Sequence, residues 1–201
     1  MIEKIIRKIA DQAKSKYLLR RIELRQEWES KGYKVYFAHE LCSCPKKREL
    51  AAAFPELRDT ISLKPPVMIG EMIELAVKTL LNLKGLDLHK TIGRYVIFGG
   101  IDMYDPDTKS VYDIKYTTGD PIPKDEHVLR VAVYKYLAET DKGYLLYISP
   151  RGFKEYQVTR TLDDSSIVKL IQNNKAPMWS KECMYCTYRE FCSFSSGVEK
   201  V

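Results

Sequence analysis

The stretch RYVIFGGIDMYDPDTKSVYDIKYT, residues 94–117, decides how this chain folds. Val96, Ile97, Phe98, Val111, Tyr112 and Ile114 suit a pleated, half-buried surface, and Asp105-Pro106-Asp107-Thr108 between them has the chemistry of a turn. The pattern predicts an antiparallel hairpin, one strand over 94–104 and the other over 110–117. Folding it about the Asp107–Thr108 midpoint sets Asp102 opposite Asp113, with Cβ atoms about 5 Å apart. Lys115, two residues beyond Asp113, projects from the same face. Like charges placed opposite one another repel, so the pair calls for a cation between them. A hard divalent ion such as Mg²⁺ or Mn²⁺ takes oxygen ligands of this kind and keeps waters as nucleophiles. Lys115 would then stabilise phosphoryl charge or orient the attacking water. The plainer reading is two turn-proximal aspartates, with Lys115 neutralising Asp113.

Outward from the hairpin the chain reads as helices and short strands. Residues 2–28 carry an apolar stripe of Ile2, Ile5, Ile6, Ile9, Ala13 and Tyr17 at helical spacing, with lysines and arginines on the other faces. A short strand is predicted over 33–38. A helix is predicted from Pro45 to Phe54, capped near Ser43 or Cys44. Pro65-Pro66 break the chain before a helix over 67–83. Beyond the hairpin follow a helix over 125–139, strands over 144–149 and 153–159, and a helix to Gln172 capped by Asp163 or Asp164. This order predicts the α/β (α+β) class: a mixed sheet flanked by helices, in a single domain over 1–201.

Composition excludes some function classes. A chain of 201 residues that is 45% hydrophobic and 30% charged buries a core and is not disordered as a whole. The longest apolar runs, Tyr95–Phe98 and Tyr144–Ile148, fall far short of the roughly 18–20 residues of a membrane span. Ile2-Glu3-Lys4 interrupts any apolar leader, so a cytoplasmic protein without membrane contact is expected. The 33 basic against 27 acidic residues leave +6, compatible with a polyanionic partner or with an ordinary solvated surface.

Five cysteines stand at 42, 44, 183, 186 and 192. An odd number in an intracellular chain argues against a disulfide framework. Cys183-x2-Cys186-x5-Cys192 groups three thiols, and the fourth donor is Cys44 or Cys42. Such a centre joins the two ends of the chain. Structural zinc sites commonly come as two pairs, whereas four thiolates also suit an iron–sulfur cluster, which Trp179, Tyr185, Tyr188 and Phe191 would shield from solvent.

Taken together, these residues resemble the CRISPR-associated exonucleases of the RecB-nuclease type, a branch of the PD-(D/E)xK superfamily. The likeness runs from about Cys44 to Cys192. Cys44-Pro45-Lys46-Lys47 resembles that family's solitary N-terminal cysteine motif. Gly99-Gly100-Ile101-Asp102 resembles its metal-binding aspartate motif, and Val111-Tyr112-Asp113-Ile114-Lys115 its second acid and catalytic lysine. Tyr134 falls at the tyrosine of its Q-x3-Y motif, and Cys183-x2-Cys186-x5-Cys192 resembles its C-terminal cluster motif.

The resemblance implies a restriction-endonuclease-like nuclease core. A 4Fe-4S cluster on Cys44, Cys183, Cys186 and Cys192 would pin a lobe built from about 38–60 and 177–195. It implies a divalent metal, Mn²⁺ or Mg²⁺, held by Asp102, Asp113 and the Ile114 carbonyl. It further implies exonuclease action on single-stranded DNA, in the processing of spacer precursors alongside CRISPR integrase proteins. Two positions depart from the pattern. Ile73 stands where the family carries a metal-binding histidine, leaving Glu74 or Glu71 to reach in, and Arg130 replaces the glutamine. Arg130 and Tyr134 are candidates for DNA contact, with a carboxylate as the other partner open to Arg130. His89 and His127 are read as incidental. The missing histidine leaves room for a catalytically weak, DNA-binding version of the same fold.

Overall fold

The computed structural model describes residues 19–54 and 65–195. Helix α1 is described over 19–30, and the remainder of the helix predicted over 2–28 lies outside the described residues. Gly32, at φ 86°, turns the chain out of α1 with a left-handed conformation that costs glycine little. Then follow β1 (Lys34–Phe37), α2 (Ala38–Leu41), α3 (Pro45–Ala53), α4 (Pro65–Leu81), β2 (Lys84–Ile92), β3 (Tyr95–Asp105) and β4 (Ser110–Tyr116). The chain continues with α5 (Asp125–Ala138), β5 (Gly143–Ser149), β6 (Gly152–Gln157) and α6 (Asp164–Gln172). Three single-turn 3₁₀ segments lie over Glu182–Tyr185, Arg189–Phe191 and Ser193–Ser195. None of the described helices is long and apolar enough to cross a membrane.

Two differences from the sequence expectation have local causes. Helix α4 begins at Pro65 rather than at 67, because a proline in the first turn lacks only an N–H that would go unpaired there anyway. It ends at Leu81 rather than at 83, because Asn82 adopts a left-handed φ of 51°. The strand β2 that follows was not anticipated.

Six strands form one mixed sheet, ordered β1-β3-β4-β5-β6 with β2 also on β3. The β1–β3 and β4–β5 pairs are parallel and the others antiparallel. A strand has two edges, and β2 lies along β3 from Tyr95 to Tyr104. So β1, at Tyr95–Phe98, and β4, at Met103–Asp105, share the other edge of β3. Between them lies a gap at 99–102, and the candidate site is built there.

Each face of the sheet has its own cover. Val35, Phe37 and Val96 pack under α1 against Leu24 and Trp28. Ile97, Ile101, Val111 and Leu145 face the main core with α5, α2 and α6. Helix α5 is buried on nearly every side from Val131 to Leu137, including Lys135, whose Nζ donates to the carbonyls of Val158 (2.9 Å) and Arg160 (3.1 Å). Its close approach needs two glycines. A Cβ on Gly99 would meet Leu137 Cδ1 at 2.5 Å, and one on Gly143 would meet Val131 Cγ1 and Lys135 Cγ at 2.7 Å.

Helix α1 is tied to the sheet by one carboxylate. Glu40 Oε1 accepts from Arg21 Nη2 and Arg25 Nη2, both at 3.0 Å, and Oε2 accepts the Phe37 N–H at 3.0 Å. The Arg21 guanidinium also lies 4.1 Å from the Phe37 ring centroid. Removing one member of so well shielded a group strands the other charges, so Glu40→Ala should lose about 3 kcal/mol of unfolding free energy in urea titration. A loss below about 1 kcal/mol, the value of an exposed ion pair, would contradict this account.

Candidate active site and cysteine lobe

The hairpin forms with the register that the turn dictates. Met103, Tyr104 and Asp105 pair with Tyr112, Val111 and Ser110. Asp105 holds the turn, accepting the Asp107 N–H at 3.0 Å and the Thr108 hydroxyl at 2.6 Å. The recorded ladder stops one pair short of the expected Asp102–Asp113 pairing. There the Ile114 N–H donates to the Asp102 carboxylate, Oδ2, at 3.0 Å instead of to a backbone carbonyl. The side chain of Asp102 thus fills the splay between β3 and β4.

Lys115 draws the two acids together. Its Nζ lies 2.7 Å from Asp113 Oδ2 and 3.6 Å from Asp102 Oδ2, and it donates to the Ile114 carbonyl at 3.0 Å. The Asp113 side chain is 0% exposed, and neither of its oxygens accepts a well-aligned hydrogen bond among the described residues. A buried carboxylate left to a single ammonium has unspent capacity for a cation. The three oxygens around Nζ are the donors a hard divalent ion takes, with the ammonium as a stand-in for that ion. As the side chains stand, no three His, Cys, Asp or Glu among the described residues are grouped to hold a metal ion.

The two carboxyls are driven apart in acidity. Burial, and then the neighbouring Asp113 charge, push Asp102 up to about 7, with Lys115 only partly opposing. Burial would also raise Asp113, but Lys115 and then Arg130 outweigh it and hold Asp113 below the ordinary carboxylate range.

Other candidates divide by where their elements put them. Glu74 is half-buried on the sheet side of α4, ion-paired with Lys78, and its charge is felt at Asp102, whereas Glu71 is exposed. Ile73 lies on the same half-buried side as Glu74. Arg130 is half-buried on α5 and its guanidinium is stabilised by the Asp113 charge. Its Nε has no hydrogen-bond partner among the described residues. Tyr134 is 5% exposed and packs against the Gly99 backbone, so its ring offers DNA no surface and the expected contact is corrected.

His89 is exposed, in edge contact with Trp28. His127 is half-buried, both Lys115 and Asp113 act on its ring, and its Nδ1 lies 2.7 Å from the Tyr147 hydroxyl. The signal was its spacing. Residues 127, 130 and 134 follow one helical stripe.

The segment around Cys44 meets the segment over 177–195. Cys44, Cys183, Cys186 and Cys192 line one small cavity. Cys183 is raised by burial and then by the neighbouring Cys186, Cys44 and Cys192. Cys42 is apart. It is buried and pushed up to about 12 by that burial, and it lines a neighbouring cleft of about 620 Å³ beside Lys47, Lys124, Arg130, Trp179 and Tyr185.

Protein contacts alone close this lobe. Glu182 Oε1 accepts the Cys44 N–H at 2.7 Å, and Oε2 accepts the N–H groups of Met178 (3.2 Å) and Trp179 (3.3 Å). The Trp179 indole donates to the Cys42 carbonyl at 2.8 Å, and Phe54 stacks on Phe191. The part of the predicted lobe over 55–60 lies outside the described residues.

No family model matches the chain. Its sequence is similar to the CRISPR-associated exonuclease Cas4 of Saccharolobus solfataricus, 24% identical over 175 residues that cover 78% of this chain and 86% of that protein. Its structure is similar to the crystal structure of SSO0001, with a TM-score of 0.74 and 22% identity over 88% of this chain and 97% of that one. The mixed sheet with its flanking helices is therefore a fold already seen in a solved protein.

Proposed function

We propose that this chain is a metal-dependent exonuclease acting on single-stranded DNA, in the trimming of spacer precursors beside a CRISPR integrase. One observation carries the reading. A lysine ammonium sits among two carboxylates and a peptide carbonyl, at the edge of a gap in a sheet whose fold is shared with a solved relative. The sequence similarity to an exonuclease named Cas4 supports the same conclusion.

Asp102, Asp113 and the Ile114 carbonyl would hold Mn²⁺ or Mg²⁺, with Glu74 the nearest further carboxylate on α4. A divalent ion bound there supplies Lewis acidity to a phosphodiester and acidifies a water. Lys115, released from the acids, stabilises charge on the phosphoryl oxygens. Asp113, held ionised, anchors the cation. Arg130 holds Asp113 in that state and so acts through it. The cleft beside Arg130 carries Lys47, Lys124 and Lys181 on its walls along with Asp125, Glu126 and Glu182, and its cations would guide a strand of phosphates. In the lobe, Cys44, Cys183, Cys186 and Cys192 would hold a 4Fe-4S cluster in a structural role.

Cleavage of an end-labelled single strand by purified protein with Mn²⁺ tests the reading. Asp102→Ala should reduce it by about a thousandfold or more. Undiminished cleavage by that variant would place the activity elsewhere. A second reading, a DNA-binding module with little catalysis, is favoured by Ile73, which cannot ligate. A silent wild type that gains cleavage on Ile73→His would establish it.

A further inference from the structure

Lys115 pairs with Tyr147 in the parallel β4–β5 ladder, so the two side chains leave the same face of the sheet as neighbours. The Tyr147 ring carries its hydroxyl to the start of α5, where it accepts the Lys124 N–H at 3.3 Å and meets His127 Nδ1 at 2.7 Å. A hydroxyl has one proton. Its oxygen has two lone pairs, one of them taken by the Lys124 N–H, and its proton can go to Nδ1. A proton given to Nδ1 would hold the imidazole as the tautomer bearing its hydrogen on Nε2. Burial and then Lys115, with Arg130 and Lys124 adding to them, keep the ring from taking a second proton. What Nε2 faces among the described residues is a weak partner: the Glu126 carboxylate, Oε1, at 3.5 Å, on a side chain 33% exposed.

We propose that His127 donates its Nε2–H to a phosphate oxygen of the DNA strand that lies over Lys115, and that Tyr147 is the positioning residue that fixes the tautomer. The proposal rests on the nuclease reading and adds to it a substrate-contacting group. A neutral donor suits this place. It binds phosphate without adding a positive charge that would compete with a cation at Asp102 and Asp113.

Two measurements on the full-length protein test it. Histidine-labelled wild type should show the Nε2–H tautomer for His127 in proton–nitrogen spectra. Adding oligothymidylate with Ca²⁺, to hold the strand uncleaved, should shift Nε2 more than Nδ1. In cleavage with Mn²⁺, His127→Ala should raise KM for oligothymidylate about tenfold, the value of a charge-assisted hydrogen bond, with kcat little changed and Mn²⁺ affinity intact. Tyr147→Phe should raise KM by a smaller factor, about threefold, and blur the tautomer signal. Glu126→Gln should lower KM, since it removes the carboxylate that competes for Nε2–H.

An Nδ1–H tautomer in the wild type would overturn the proposal. So would an unchanged KM in His127→Ala beside normal wild-type cleavage, and in that case the nuclease reading stands. A KM raised as much by Glu126→Gln as by His127→Ala would overturn it too, assigning the ring the mere holding of Glu126. A wild type that neither binds nor cleaves oligothymidylate would remove both readings together.

Discussion

Lys115→Ala should bind Mn²⁺ more tightly than the wild type while cleaving DNA at least about a hundredfold more slowly. The reason is that the ammonium already occupies the place of the cation, on Asp113, Asp102 and the Ile114 carbonyl. Any divalent ion has to displace it, and truncation removes the competitor. The cost appears in the metal-free protein. Asp113 is fully buried, so loss of its partner should lower stability by about 3–5 kcal/mol, and added Mn²⁺ should restore much of it. Calorimetric titration and thermal melts with and without Mn²⁺ measure both. Equal Mn²⁺ affinities would show that the ammonium does not compete.

Asp102→Asn should show the opposite balance. Its carboxyl is raised from an ordinary 3.8 to about 7 in the folded chain, so folding takes up a proton between those values. The stabilisation from that proton is complete below about pH 4 and lost as pH rises to about 7. At pH 8 the wild type therefore carries a charge that folding opposes, and the amide does not. Metal-free Asp102→Asn should melt above the wild type at pH 8 and lose that advantage at pH 4, while cleavage falls about a thousandfold.

The second large effect belongs to the lobe. Cys44→Ala should abolish iron and visible absorbance in anaerobically purified protein, whereas Cys42→Ala should keep both. Cys44 shares its cavity with the three C-terminal cysteines, and Cys42 faces the cleft. Closing the loop of about 140 residues between Cys44 and Cys183 is worth about 4–5 kcal/mol in the loop-entropy model, so the cluster-free variant should melt well below the wild type. Glu182→Gln separates the protein's own closure from that of the cluster. The NH2 half of the new amide meets an N–H donor it cannot accept from, so even the cluster-free protein should lose about 1–3 kcal/mol. Stoichiometric zinc without iron would redirect the assignment to a zinc site.

What the sequence disclosed followed from local rules. The hairpin register was legible because Asp105 and its neighbours permit few turns, and the Asp163 cap was legible because Ser166 N–H has an obvious acceptor there, at 2.8 Å. Strand β2 was not. Its Leu86, Leu88, Lys90 and Ile92 do alternate inward, but Gly85 and Asp87 are poor strand formers and a lysine on the inner side breaks the pattern. Helix α5 was legible over 125–139 from its helical spacing, although a helix covered on nearly every side shows no polar face. Cys44 was favoured over Cys42 by its resemblance to a motif alone, because the contacts of Glu182 and Trp179 that place the two cysteines reach across more than half the chain, which no window of sequence contains.

Those contacts also fix a schedule. Cys44 leaves the ribosome long before Met178, Trp179 and Glu182, the last of them 138 residues further along the chain. At about 5–20 residues per second, the segment waits on the order of ten seconds for its partners. During translation its thiols are therefore open to oxidants and stray metals, with the sheet assembling around them. The lobe thus closes only after the sheet's strands have been made, and on the proposed cluster reading oxidants or a shortage of iron would injure newly made chains before finished ones.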